Sequence, residues 1–134
     1  MSTYANLYLK TEGMGSEGLA HISSDGYPSF ALVDLARMAE RAFRCKEDPE
    51  IHFIGELFAD WATTGYGWAP GSADFASYAY QVDFKEKKLV WEVDNEKSLV
   101  VFLVDRKVLW RGKIMKYETL NDLRGILEKI EDEV

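Results

Sequence analysis

Apolar and polar positions along this chain change period several times, and each change marks an element. Residues 3–10 alternate, with Ala5, Leu7 and Leu9 on one face and Tyr4, Asn6, Tyr8 and Lys10 on the other, which predicts a strand. Gly13, Gly15 and Gly18 then interrupt the regularity, and Leu19–Ile22 reads as a short second strand folding back as a hairpin. Ser23-Ser24-Asp25-Gly26-Tyr27-Pro28 is the densest turn signal. Asp and Ser accept local backbone hydrogen bonds, and Gly permits positive φ. Pro28 suits the first turn of a helix, where its missing N–H has no partner to lose. On a wheel of about 3.6 residues per turn, Ala31, Leu32, Leu35, Ala36, Met38, Ala39, Ala42 and Phe43 share one arc, which predicts a helix from about 28 to 45. Asp34, Arg37, Glu40 and Arg41 take the opposite arc, and Phe30 and Val33 fall on that polar side too.

Asp48 can cap a second helix with Pro49 at its first position. That helix is expected to reach about Ala62, with Ile51, Ile54, Leu57, Phe58 and Trp61 as its apolar stripe. Residues 63–74 hold three glycines and a proline and read as a loop. Strands follow. Residues 76–84 place Tyr78, Tyr80, Val82 and Phe84 on one side, Lys85–Lys88 is a turn, and Leu89–Val93 is the next strand. After a turn at Asp94–Lys97, Ser98–Asp105 reads as a central strand, because a continuous apolar run needs both faces covered. Val108–Arg111 continues the meander. Thr119 and Asp122 resemble a capping box opening a last helix, with Leu120, Leu123, Leu127 and Ile130 toward the core and Glu131–Val134 fraying. The expected architecture is α+β, one domain over residues 1–134. It has a largely antiparallel sheet of about five or six strands, helices on one face, and the order ββααβββ(β)α.

Composition narrows the function classes. Apolar residues make 47% and charged residues 29% of the 134 positions, which excludes a disordered, collagen-like or disulfide-scaffold chain. The 23 acidic against 16 basic residues (net charge −7) argue against nucleic acid as the main partner. The longest aliphatic or aromatic run, Leu99–Val104, is six residues, where a membrane-spanning helix needs about 20. No secretory signal is expected at the N-terminus, and Cys45 as the single cysteine suits a reducing, cytoplasmic location.

The turn is the leading chemical candidate. Ser23, Ser24, Asp25 and Ser29 bring oxygens to a helix N-terminus whose free N–H groups can hold an anion. The charge of Asp25 opposes that, and these residues are also ordinary helix-start vocabulary, able to close the turn and cap the helix. His21, Ser24 and Asp25 supply triad chemistry but lack a Gly-x-Ser-x-Gly elbow. His52, Glu56 and Asp60 recur every four residues, so His52 and Glu56 could share a metal with a further ligand such as His21 or Asp25, or form a solvated polar face. Tyr66 and Trp68 sit in the glycine-rich loop. With Phe30 and Val33 they either make an exposed apolar patch or the loop folds over that pair. No Walker loop, dinucleotide fingerprint or zinc spacing occurs, so no cofactor is indicated.

Asp25-Gly26-Tyr27-Pro28 before an amphipathic helix, with Tyr78-Ala79-Tyr80-Gln81-Val82-Asp83 much later, resembles a group of small uncharacterised prokaryotic and phage proteins. Those carry a His-x-Asp-Gly-Tyr-Pro turn after an N-terminal hairpin and a later Tyr-x-Tyr strand. Here Ser23 stands at the histidine's place and His21 lies two residues earlier. The resemblance implies a similar order of elements and brings no activity. Taken together, the residues point to a non-enzymatic protein-interaction or regulatory module. It would present Ser23, Ser24, Asp25, Tyr27, Phe30, Tyr66 and Trp68 to a protein partner or a second copy. The alternative is a small-ligand binder or enzyme at the Ser23–Ser29 turn, metal-assisted through His52 and Glu56.

Overall fold

The chain folds around an N-terminal hairpin, β1 (Ala5–Thr11) and β2 (Gly15–Ile22), in a computed structural model that describes residues 3–11, 15–94 and 96–134. The second strand is longer than the expected Leu19–Ile22, and the expected break at Gly13 and Met14 lies outside the described residues. Leu7 pairs with Ala20 and Tyr8 with Gly18, so Leu19 is the extra residue of a bulge. A π-helical turn over Pro28–Leu32 leads into α1 (Val33–Arg44), followed by α2 (Pro49–Leu57) and α3 (Ala59–Thr64). The single helix expected to run to Ala62 is therefore interrupted at Phe58. Then come β3 (Ala69–Pro70), β4 (Tyr78–Asp83), β5 (Lys88–Glu92), β6 (Ser98–Phe102), β7 (Lys107–Trp110), β8 (Lys113–Lys116) and α4 (Leu120–Glu133).

The fold is α+β, and the described residues form one mixed sheet of eight strands, in the order β3-β2-β1-β4-β5-β6-β7-β8. Two of these strands escape the sequence pattern. The two-residue β3 is too short to alternate, and β8 is an apolar pair between two lysines. The β1–β4 pair is parallel and the other pairs are antiparallel. After the hairpin the chain crosses through α1 to α3 before re-entering beside β1, as a parallel pair requires.

One face of the sheet forms the core. Leu7, Tyr80, Trp91 and Leu99 are successive cross-strand neighbours, and Val82, Leu89, Val101 and Val108 form the next row. They are buried with Leu32, Leu35 and Met38 before and within α1, Phe53 of α2, and Leu123, Leu127 and Ile130 of α4. The arc expected for the first helix is buried as a set, with Phe43 half-buried. Val33, expected on the outer side, is buried instead. Val33 stands at the junction where the π-helical turn meets α1, and the positions after it keep the expected phase. In α2 the buried positions are Phe53 and Leu57, while Ile51 and Trp61 of the expected stripe are exposed. Of the cover expected on both faces of the Leu99–Val104 run, the described residues supply a core on one. Leu99, Val101 and Leu103 are buried, Val100 and Phe102 are half-buried, and Val104 is exposed in a turn.

The α4 start follows expectation. Thr119 Oγ1 accepts from the Asp122 N–H at 3.1 Å, and Asp122 Oδ2 accepts from the Thr119 N–H at 3.0 Å. Its end does not fray as expected, because Glu131 and Glu133 are held by partners outside the helix.

Candidate functional site

The Asp-Gly-Tyr-Pro turn is clamped from three directions. The Gly26 N–H donates to the Thr3 carbonyl at 3.1 Å, and the Tyr80 hydroxyl donates to the Gly26 carbonyl at 2.6 Å. A side chain at Gly26 would place its Cβ 2.8 Å from the Thr3 oxygen, so only glycine fits. Asp25 just before it adopts a left-handed conformation (φ 55°), which Asp tolerates better than most residues. Ser29 is buried, its N–H donates to Glu131 Oε1 at 2.6 Å, and its carbonyl accepts from Arg124 Nε at 2.9 Å.

This arrangement corrects the expectation that Asp25 and the neighbouring serines cap the helix. Ser23, Ser24 and Asp25 are exposed, and no side-chain cap forms at Tyr27. A carboxylate from α4 serves the helix start, in the position where an anion would otherwise bind. Charge-assisted contacts of this kind are stronger than neutral ones.

An aromatic series runs inward from the turn. The Tyr27 ring lies 6.2 Å from Tyr78, which stacks on Tyr80 at 6.3 Å and meets Trp91 edge-on at 5.9 Å. Trp91 stacks on Trp110 at 6.5 Å, and Trp110 Nε1 donates to Glu133 Oε2 at 3.1 Å. Burial raises the Tyr78 hydroxyl above its ordinary pKa, and the nearby Glu131 and Tyr27 add to that. Burial pushes Tyr80 far above the ordinary range, with Tyr78 and Glu131 contributing. Both hydroxyls stay neutral at physiological pH, and that of Tyr80 serves as a hydrogen-bond donor.

Phe30 is 54% exposed on the outer surface of the turn, with the Arg124 guanidinium 5.5 Å from its ring centre. Phe30, Arg124, Ile22, Asp25, Ala31 and Asp34 line a shallow cavity of 220 Å³. Neither Tyr66 nor Trp68 lines it. Those two residues part company. Tyr66 is 79% exposed, whereas Trp68 is only 3% exposed and belongs to the core, against the expectation of a shared outer patch. Gly65 and Gly67 take positive φ, and Ala69–Pro70 then pairs with β2, which turns Trp68 inward.

His52 is exposed beside Glu56 in a second cavity of 370 Å³, lined also by Arg41, Cys45 and Ile51. Glu56 Oε1 accepts from Arg37 at 3.1 Å and Arg41 at 2.9 Å, so that oxygen is engaged by two guanidiniums. Among the described residues no three His, Cys, Asp or Glu side chains converge as a metal site. His21 Nδ1 lies 3.0 Å from the Gly71 carbonyl and holds that loop rather than meeting Ser24 or Asp25. Sequence reasoning missed Glu131 and Arg124, which stand 102 and 95 residues from Ser29. No local pattern signals partners so distant. Comparison with protein-family models, with curated proteins and with solved structures found no match to this chain.

Proposed function

We propose that this chain is a cytoplasmic protein-interaction module whose partner meets the surface around Tyr27 and Phe30. The contrast at the turn supports this. The main-chain polar groups of Gly26 and Ser29 are satisfied from within, while Tyr27 and Phe30 stay exposed beside them. A polar ligand needs free donors. A protein partner needs rigid aromatic anchors, and a clamped turn supplies them with little ordering cost on association. Among the described residues no helix is long and apolar enough to cross a membrane.

A photocrosslinking residue at position 30 tests the reading in cells. A discrete protein adduct from position 30, and none from the exposed Val104, is the expected result. Equal labelling from both positions counts against it. The charged cavity of Asp25, Asp34 and Arg124 favours a second reading, a small-ligand site. A saturable rise in melting temperature with phosphate, a nucleotide or a divalent metal, lost in Arg124→Ala, would move the conclusion to that reading.

A further inference from the structure

The sheet face turned away from the helices carries an apolar row. Val90 pairs with Val100, Val100 with Leu109, and Leu109 with Ile114, so four aliphatic side chains stand side by side on β5 to β8. None of them belongs to the core or packs against it. Val90, Val100 and Leu109 are half-buried, and Ile114 is 57% exposed. The loop after β3 lies across the β1 end of this face, where the Asn6 amide exchanges two hydrogen bonds with Ala73, at 2.9 and 2.8 Å. A one-sided antiparallel sheet alternates apolar-in with polar-out, and a continuous run such as Leu99–Phe102 belongs to strands covered on both faces. Among the described residues the helices cover one.

Charge on this face has a direction. The row beside the aliphatic one reads, by cross-strand pairing, Lys10, Asp83, Lys88, Phe102, Lys107 and Lys116. Asp83 is buried and faces Lys10 Nζ at 3.5 Å. On the other flank the Glu92–Ser98 pair supplies one carboxylate. A lysine row thus borders an apolar row in a chain whose net charge is −7.

We infer that this face docks an acidic, amphipathic segment of a partner protein. Its apolar side lies on Val90, Val100, Leu109 and Ile114, and its carboxylates meet Lys88, Lys107 and Lys116. A second copy fits less well, because each face sets Lys88, Lys107 and Lys116 outward while its carboxylates Asp83 and Asp105 already lie beside Lys10 and Lys107 of the same chain, which leaves Glu92 to answer a facing lysine row. Nucleic acid also fits poorly. Bases stack on rings, whereas this row is aliphatic, and Phe102 already has Lys107 Nζ 5.6 Å from its ring centre. The inference is independent of the turn surface proposed above.

Fluorescence anisotropy with three labelled probes tests it: a synthetic amphipathic Leu/Glu peptide, its Leu/Lys counterpart, and an oligothymidylate. Binding of the acidic peptide at least about tenfold tighter than the basic one, weakened by salt, is expected. Amide shifts on titration should fall at Val90, Val100, Leu109 and Ile114 rather than at Tyr27 and Phe30, which separates this face from the turn. The variant Lys88→Glu/Lys107→Glu/Lys116→Glu should reverse the peptide preference, and Lys129→Glu on α4 should leave it unchanged. Leu109→Thr, which keeps strand propensity, should weaken the acidic peptide without unfolding the sheet. Equal binding of both peptides, no binding, shifts elsewhere, tighter binding of the oligothymidylate, or self-association that blocks the peptide would each overturn the inference.

Discussion

The Tyr80 hydroxyl donates to the Gly26 carbonyl across 2.6 Å, joining the middle of the sheet to a turn 54 residues earlier in the chain. The acceptor is a backbone group, so the contact fixes the path of the chain rather than the pose of a side chain. It works with the Gly26 N–H bond to Thr3 to hold both polar groups of one buried residue. The position of the Phe30 surface follows from that clamp.

Replacing Tyr80 by Phe leaves the buried Gly26 carbonyl without this donor, at a cost of about 1–3 kcal/mol. Gly26→Ala drives a Cβ to 2.8 Å from the Thr3 oxygen, and overpacking of that kind costs about 1–3 kcal/mol. Both variants should lower the urea midpoint with an unchanged slope. The double variant should cost less than the sum, because the two share one turn. A Tyr80→Phe midpoint equal to that of the parent would remove the clamp from the account.

Stability should fall at alkaline pH. Tyr80, Tyr117 and Tyr78 all have raised folded-state pKa values, first through burial. In the unfolded chain tyrosine loses its proton near pH 10. Below that point both states hold the proton and the stabilisation is complete. Above it the unfolded state releases protons that the folded state retains, so stability declines as pH rises through and beyond about 10. Denaturant midpoints measured from neutral to strongly alkaline pH should stay level and then drop, and Tyr80→Phe should flatten the drop. A midpoint that rises with pH in that window contradicts the assignment.

Glu131 performs two tasks that substitution can separate. It accepts the Ser29 N–H, and its charge helps to keep the Tyr78 hydroxyl protonated. Glu131→Gln keeps an acceptor and removes the charge, whereas Glu131→Ala removes both. A hydrogen bond to a charged group contributes about 1.5–3 kcal/mol, so alanine should destabilise by about 2 kcal/mol and glutamine by less. Tyrosinate absorbance should show Tyr78 titrating at lower pH in Glu131→Gln than in the parent. An unmoved titration would mean that burial and Tyr27 set it without Glu131.

How far these features were legible depends on their range. The α4 capping box was readable because Thr119 and Asp122 lie within one turn of each other. The buried arc from Ala31 to Ala42 was readable because a helix repeats its environment every few residues. Val33 alone departs from the wheel, at the junction of the π-helical turn and α1, and nothing in Pro28–Leu32 announces that turn. The direction of Trp68, open in the sequence between an exposed patch and a packed loop, was illegible for a different reason. Loop residues follow no period, and its direction depends on pairing of Ala69 with His21, 48 positions upstream. The anchors of the candidate turn, Tyr80, Arg124 and Glu131, are long-range in the same sense. The Leu99–Phe102 run implied cover on two faces, and among the described residues the core lies on one.

Asn6 offers the last test. It is buried at the β1 end of the outer sheet face, under the loop after β3, and its amide both donates to the Ala73 carbonyl and accepts the Ala73 N–H. One side chain thus reproduces a two-bond strand pairing and holds the loop before β4 against β1. Asn6→Ala should leave the hairpin paired, since that pairing uses backbone groups, but free Ala73 to exchange with solvent. Amide hydrogen exchange should accelerate at Ala73 and remain slow at Leu7 and Tyr80. Asn6→Asp should be worse than alanine at neutral pH, because it turns the donor facing the Ala73 carbonyl into a second acceptor beside a buried charge. If exchange at Ala73 is unchanged in both variants, the loop is held by its Gly71 contacts with Leu19 and His21 instead.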